Sequence, residues 1–82
     1  MKRFALSILG AGRMGFAIAS SLVRRGVFPP GKICLADVSS SARRRAAALG
    51  CRAVIDALDA ADQSEVILLA VKPQKIEEVA LA

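Results

Sequence analysis

The spacing of apolar residues changes twice within the first third of the chain. Residues 4–9 are apolar apart from Ser7, which is typical of a parallel strand covered on both faces. From residue 14 to residue 23 apolar positions recur at helical spacing and predict an amphipathic helix. The sequence GAGRMG, at residues 10–15, lies between these two segments. The pattern therefore predicts a strand, a glycine-rich turn and a helix.

The three glycines of this turn suit the approach of a pyrophosphate. Gly10 allows the chain to turn tightly, Gly12 leaves no Cβ in the way of the phosphates, and Gly15 allows the helix to pack closely on the strand. The N-terminus of the helix adds free N–H groups and the positive end of its dipole. A glycine pattern alone is also compatible with a tight turn that binds nothing.

An acidic residue further along the chain favours the binding interpretation. A second apolar run, over residues 32–36, is followed by Asp37, about 20 residues beyond the turn. Dinucleotide-binding folds place a carboxylate at that distance, on the adenosine ribose. The alternative is that Asp37 caps the next helix, a role that aspartate also fills well.

The rest of the chain alternates between helical and extended patterns. A helix is expected over 42–49, capped by one of three consecutive serines, Ser39 to Ser41, and ended at Gly50. The later segments are a short strand over 52–55, a turn or brief helix over 56–62, a strand over 65–71 that we expect to be central and beside the first strand, and a last helix that begins at Pro73.

This alternation predicts an α/β fold of the Rossmann type. Right-handed crossovers give a doubly wound parallel sheet of about four strands in the order 3-2-1-4, with the ligand at the carboxyl edge where the order reverses. Such sheets usually carry about six strands, so we expect the fold to be incomplete at the C-terminus. All 82 residues are assigned to one dinucleotide-binding domain.

Composition narrows the choice of partners. The net charge of +5 allows an anionic ligand, but no aromatic platform accompanies the basic residues, because the three phenylalanines fall in or beside apolar segments, so nucleic acid is not expected. No apolar run approaches the length of a membrane span, and Arg13 and the glycines interrupt the N-terminal stretch that resembles a signal peptide. We expect Cys34 and Cys51 to be packing residues in a reducing, cytoplasmic protein, and we predict no metal site.

A run of three arginines starts the predicted second helix. Arg43, Arg44 and Arg45 lie in its first turn, where the helix dipole disfavours cations by roughly a few tenths of a kcal/mol each. The run either presents an arginine to a ribose 2′-phosphate or forms a solvated helix face. The sequence leaves both interpretations open.

Four segments together resemble the N-terminal domain of pyrroline-5-carboxylate reductase. They are the turn GAGRMG, the connector FPPGKI, the strand end LAD and the segment LLAVKPQ at residues 68–74. The glycine turn is shared with many dehydrogenases, whereas AVKPQ after the fourth strand is much more specific. The resemblance extends over essentially the whole chain.

The resemblance implies a function and a site. It implies hydride transfer from NADPH or NADH to the C=N bond of the imine 1-pyrroline-5-carboxylate, which gives proline. It also implies that substrate binding and homo-oligomerisation belong to a helical second domain, absent from this chain. The cofactor-binding residues that it implies are Gly10, Ala11, Gly12, Arg13 and Met14 along the pyrophosphate, Asp37 and Ser39 beside the adenosine ribose, and Ala70, Val71, Lys72 and Pro73 along the nicotinamide ribose.

Some positions depart from the family pattern. Ala57 stands where members often carry an asparagine, and Val38 stands where several carry a polar or basic residue, so the choice between NADP and NAD stays open. For Lys72 we prefer a positional role to a catalytic one, and the catalytic residues are not identified. Two other interpretations remain. One is the cofactor domain of another reductase, such as a 3-hydroxyacid dehydrogenase or a reductase that pairs NADP with a deazaflavin; the other is a stand-alone nucleotide-binding module without catalysis.

Overall fold

A computed structural model describes residues 2–10 and 12–70 of the chain. The described residues form an alternating series of parallel strands and helices, and the predicted last helix lies outside them. The elements in chain order are β1 (Phe4–Leu9), α1 (Arg13–Arg24), a short 3-10 helix (Pro30–Lys32), β2 (Ile33–Ala36), α2 (Ser40–Ala48), β3 (Arg52–Val54), α3 (Ala57–Asp62) and β4 (Ser64–Leu69).

The four strands form one parallel sheet in the order β3-β2-β1-β4. The predicted order and the Rossmann-like α/β class are thereby confirmed. In the register, Ile8 of β1 pairs with Leu35 on one side and with Leu68 on the other. The strand order therefore reverses at β1, whose carboxyl end opens the crevice in which folds of this type bind their ligands.

Two apolar clusters hold the sheet between its helices. One contains Leu6 and Ile8 of β1 together with residues of α1 and α2. The other contains Leu9 of β1, Cys34 of β2 and Ala60 of α3. Because β1 contributes to both clusters, its nearly continuous apolar sequence reflects burial on both faces, as predicted.

The only polar residue of β1 is accommodated by hydrogen bonds. Ser7 is fully buried, and its hydroxyl donates to the Ala60 carbonyl oxygen at 3.1 Å. The buried Ser64 hydroxyl donates to the same carbonyl at 2.7 Å and also contacts the Ser7 hydroxyl. These bonds join β1, β4 and the C-terminal part of α3, and they satisfy polar groups that burial would otherwise penalise.

Both cysteines are buried free thiols that pack in the apolar clusters. Burial raises the pKa of the Cys34 thiol and that of the Cys51 thiol, so both stay protonated at neutral pH. The structure thus agrees with their expected role as packing residues. In the described part of the chain, no helix is long and apolar enough to cross a bilayer.

The position of β4 differs in one respect from the prediction. It lies beside β1, as predicted, but at an edge of the four-stranded sheet formed by the described residues rather than in its centre. The side chains of Val66 and Ile67 are 56% and 48% exposed. A continuous apolar run predicts that a strand is covered but does not identify the elements that cover it.

Candidate functional site

Hydrogen bonds join the ends of the four strands at the carboxyl edge of the sheet. The Gly10 N–H donates to the Ala36 carbonyl at 2.8 Å, which joins the glycine turn to the end of β2. The Ala70 N–H donates to the Leu9 carbonyl at 2.9 Å, which joins the end of β4 to the same turn. The Asp37 N–H donates to the Val54 carbonyl at 3.0 Å. The turn, the acidic residue and the end of β4 are therefore neighbours.

The glycines of the turn have distinct geometrical roles. Gly10 has a φ of 100°, a left-handed conformation that L-residues with a side chain rarely adopt. A Cβ on the buried Gly15 would lie 2.0 Å from the carbonyl oxygen of Gly10, so the close approach of α1 to β1 requires glycine. A Cβ on Gly12 would meet nothing within 4 Å, so the absence of a side chain there serves no packing contact of the described residues.

The N-terminus of α1 has no side-chain cap. Its N-cap residue is Gly12, whereas α2 and α3 are capped by the side chains of Ser39 and Asp56. No acidic residue lies in the first turn of α1, and Arg13 and Met14 are exposed there. The first N–H groups of α1, which have no side-chain cap among the described residues, the positive end of the dipole and an exposed cation together provide a suitable position for an anion.

The loop between β2 and α2 is held by its own polar groups. The Ser39 N–H donates to Oδ1 of Asp37 at 2.8 Å, and the Ala42 N–H donates to Oγ of Ser39 at 3.3 Å. Ser39 is therefore the N-cap, and α2 begins earlier than predicted, at Ser40. The alternative in which Asp37 caps this helix does not hold, since its carboxylate orders the preceding turn.

The three arginines of α2 have different environments. Arg43 is half-buried, and its Nη1 donates to the carbonyl oxygens of Asp37 and Val38 at 2.9 and 3.0 Å. Arg44 and Arg45 are exposed, in agreement with a solvated helix face. The contact of Arg43 with the loop was not predicted. Helical side chains lean toward the N-terminus, so an arginine one turn after a serine cap is a signal for such a contact.

The structure brings together most of the residues predicted for the site. Ala57, which stands in place of an asparagine, begins α3 beyond the end of β3. Ala11, Val71, Lys72 and Pro73 lie outside the described residues. The predicted site residues at the carboxyl edge or at the helix N-termini that follow it are Gly10, Gly12, Arg13, Met14, Asp37, Ser39 and Ala70.

The contact between Gly15 and Gly10 leads to a prediction about stability. Replacing Gly15 with alanine is expected to lower the free energy of unfolding by about 2 kcal/mol, because the added methyl group meets backbone rather than a movable side chain. Glycine to alanine inside a helix normally stabilises, by about 1 kcal/mol, so the expected sign is unusual. Urea unfolding measures the change. The matched control is Gly31→Ala, where the Cβ meets nothing within 4 Å, and equal stability of both variants would contradict the prediction.

The sequence has recognisable relatives among oxidoreductases. Residues 5–82 match the family described as NADP oxidoreductase, coenzyme F420-dependent. Because this match extends over nearly the whole chain, the chain belongs to that oxidoreductase family.

Individual relatives carry a more particular name. The chain is 38% identical over 77 residues to pyrroline-5-carboxylate reductase of Glycine max, a match that includes 93% of this chain and 28% of the relative. It is 36% identical over 83 residues to pyrroline-5-carboxylate reductase of Pasteurella multocida, and this match includes 96% of the chain and 30% of that relative. Pyrroline-5-carboxylate reductase of Arabidopsis thaliana is 34% identical to the chain over 76 residues, and this match includes 92% of the chain and 28% of that relative. The resemblance found in the sequence motifs is thereby confirmed, and the chain spans less than a third of the length of these curated relatives.

Proposed function

We propose that this chain binds NADP(H) or NAD(H) and is the cofactor domain of a pyrroline-5-carboxylate reductase. The observation that carries the proposal is the uncapped N-terminus of α1, next to Gly12, at the position where the strand order reverses. The open space at the Gly12 Cβ position fits a backbone that phosphates approach closely. When bound, the nicotinamide supplies a hydride for the C=N bond of the substrate.

The residues at the carboxyl edge of the sheet are proposed to bind different parts of the cofactor. The turn, through Gly12, Arg13 and the first N–H groups of α1, binds the pyrophosphate, because these groups offer both hydrogen bonds and positive charge. Asp37, held by the Ser39 N–H, accepts a hydrogen bond from the adenosine ribose. The segment from Ala70 to Pro73 follows the strand beside β1 and is proposed to position the nicotinamide ribose, with Lys72 in a positional role.

Substrate binding is proposed to require more than this chain. In this proposal the imine substrate and the homo-oligomer interface belong to a helical second domain outside residues 1–82, and the protein acts in the cytoplasm. Two buried free thiols support a reducing compartment. The relatives named pyrroline-5-carboxylate reductase support the substrate class.

A second candidate is an NADP reductase that works with coenzyme F420, a deazaflavin. The description of the family that the chain matches favours it. Both candidates need the same cofactor-binding residues at the carboxyl edge of the sheet. They differ in the molecule that receives the hydride from the nicotinamide. A protein that contains this domain and oxidises NADPH with 1-pyrroline-5-carboxylate, but not with coenzyme F420, would support the first candidate.

Calorimetric titration of the chain with NADPH and with NADH tests cofactor binding. We expect saturable binding of one molecule per chain, with the two affinities within about tenfold of each other, because Asp37 favours a 2′-hydroxyl and a nearby arginine favours a 2′-phosphate. Inorganic pyrophosphate is the control, because a site that binds only an anion would bind it as tightly as the dinucleotides. Absence of binding by both dinucleotides, or equally tight binding of pyrophosphate, would contradict the proposal.

Cofactor preference is expected to depend on Asp37. Asp37→Ser should shift the relative affinity toward NADPH by roughly 1 to 2 kcal/mol, because it removes the charge that repels the 2′-phosphate and replaces a charged acceptor for the 2′-hydroxyl with a neutral one. Titration of the variant with both cofactors measures the shift. The control is Asp56→Ser, which changes a carboxylate that caps α3 to another good capping residue. Unchanged relative affinities in Asp37→Ser would mean that this carboxylate only orders the turn before α2.

A further inference from the structure

A basic surface lies at the amino edge of the sheet, opposite the edge proposed for the cofactor. Arg3 and Lys32 directly precede β1 and β2, and Nζ of Lys32 donates to the Arg3 carbonyl oxygen at 3.5 Å. Arg24 and Arg25 end α1, which returns from the glycine turn to this edge. All four residues are exposed, and the segment 24–32 contains no acidic residue. These four cations define the basic surface.

The charges of the basic surface are not neutralised within the described part of the chain. Nε of Arg24 donates to a carbonyl oxygen one turn earlier in α1 at 3.4 Å, and the Arg3 guanidinium lies 5.3 Å from the centre of the Phe4 ring. No carboxylate pairs with any of the four cations among residues 2–10 and 12–70. The acidic residues Asp62 and Glu65 belong to the end of α3 and to β4, on the other side of β1 from Lys32 and β2. The surface is therefore positively charged.

An exposed apolar loop lies between the cations. Val27 is 53% exposed and Pro29 is also exposed, and both lie between Arg25 and Lys32 in the chain. The Val27 N–H donates to the Leu22 carbonyl at 3.0 Å, and the Lys32 N–H donates to the Pro29 carbonyl at 3.0 Å. Because these bonds and two consecutive prolines fix the backbone, the loop binds a partner with little further loss of conformational entropy.

We propose that the basic surface and its apolar loop bind a membrane surface that contains anionic lipids. Anionic headgroups attract the cations, and apolar side chains gain by entering the interface beside them. An acidic peptide would match the charge but would leave the exposed Val27 without a role. Binding of this peripheral kind needs no membrane-spanning helix. The carboxyl edge of the sheet stays accessible to a cofactor, so the inference goes beyond the proposed function and does not rest on it.

Co-sedimentation of the chain with lipid vesicles tests the inference. Vesicles of equal parts phosphatidylglycerol and phosphatidylcholine should bind at least about tenfold more tightly than phosphatidylcholine alone, and added salt should weaken the binding. Arg24→Gln together with Arg25→Gln should weaken binding to the anionic vesicles roughly tenfold to thirtyfold, because each cation near the lipid contributes. The matched control is Arg44→Gln together with Arg45→Gln, which removes the same charge from exposed residues of α2 and should lose less than about threefold.

A further variant separates a lipid surface from a soluble polyanion. Val27→Ser should weaken vesicle binding roughly threefold to tenfold, because less apolar surface enters the interface, and should leave binding of polyglutamate unchanged. Absence of binding to the anionic vesicles would overturn the inference, as would equal losses in the two double variants. Binding of both vesicles and polyglutamate without dependence on Val27 would indicate an acidic peptide as the partner and would also overturn it. If the double variant at 24 and 25 does not fold, Val27→Ser and the salt dependence decide the question.

Discussion

Replacing Gly12 with valine is expected to lower the affinity for NADPH and for NADH at least about a hundredfold, or roughly 3 kcal/mol, while the fold survives. The survival of the fold and the loss of affinity have separate reasons. A Cβ at Gly12 meets nothing within 4 Å, so the branched side chain has room in the unliganded protein. The same side chain would occupy the space through which the pyrophosphate must approach the backbone and the N-terminus of α1.

Calorimetric titration and urea unfolding of the same Gly12→Val sample check both the affinity and the fold. Gly31→Val is the matched control, because its Cβ also meets nothing within 4 Å and it lies in the 3-10 helix before β2, at the opposite end of that strand from the site. This control should bind both cofactors like the wild type. Equal affinities of wild type and Gly12→Val would contradict the placement of the pyrophosphate at the turn, and so would a selective loss in Gly31→Val.

The strands and helices could be predicted where the apolar spacing itself determines the structure. The run that forms β1 and the helical repeat that forms α1 were located to within about one residue at each end, because burial on two faces and burial on one face produce different periods. The sheet order followed from β-α-β alternation and the right-handedness of crossovers. Each of these inferences uses only neighbours in sequence or a general rule of chain geometry.

Contacts that depend on a single side-chain direction could not be predicted in the same way. The sequence offered three serines as caps for α2 and left a capping role open for Asp37. The structure assigns the cap to Ser39, with Asp37 in the preceding turn. Arg43 was one of three equivalent cations in the sequence, and only its direction along α2 brings it to the loop carbonyls. Distances of this kind depend on where the helix starts, and the sequence locates that start only to within about two to four residues.

The roles of the glycines in the turn could not be predicted from the sequence either. A glycine pattern does not distinguish a residue that must lack a Cβ for packing from one that must lack it for a ligand. In the structure, Gly15 belongs to the first kind, because its Cβ would collide with the Gly10 carbonyl, and Gly12 is consistent with the second. The two substitutions are therefore expected to affect different measurements: stability for Gly15 and affinity for Gly12.

The chain of 82 residues by itself is expected to show no turnover of 1-pyrroline-5-carboxylate. Hydride transfer requires the nicotinamide and the imine carbon to be held about 3 to 3.5 Å apart, and positioning of this kind lowers barriers by roughly 7 to 11 kcal/mol. The segment that begins at Ala70 is the proposed wall for the nicotinamide, and in this proposal the groups that hold the imine and the carboxylate belong to a second domain. Val66 and Ile67 point to opposite faces of β4 and are both about half-exposed in the part of the chain that the structure describes, so neither face of this edge strand is fully covered there.

NADPH absorbance in the presence of substrate measures this turnover, after circular dichroism has established folding and calorimetry has established cofactor binding for the same sample. A full-length pyrroline-5-carboxylate reductase serves as the positive control. A folded, NADPH-binding chain without turnover would agree with a substrate site in a second domain, because cofactor binding and substrate positioning would then be separable. Turnover near that of the full-length enzyme would mean that the reacting groups lie within these residues. Lys72→Met would then be the first variant to make, because Lys72 is the cation within the segment Ala70 to Pro73 that is proposed to position the nicotinamide ribose.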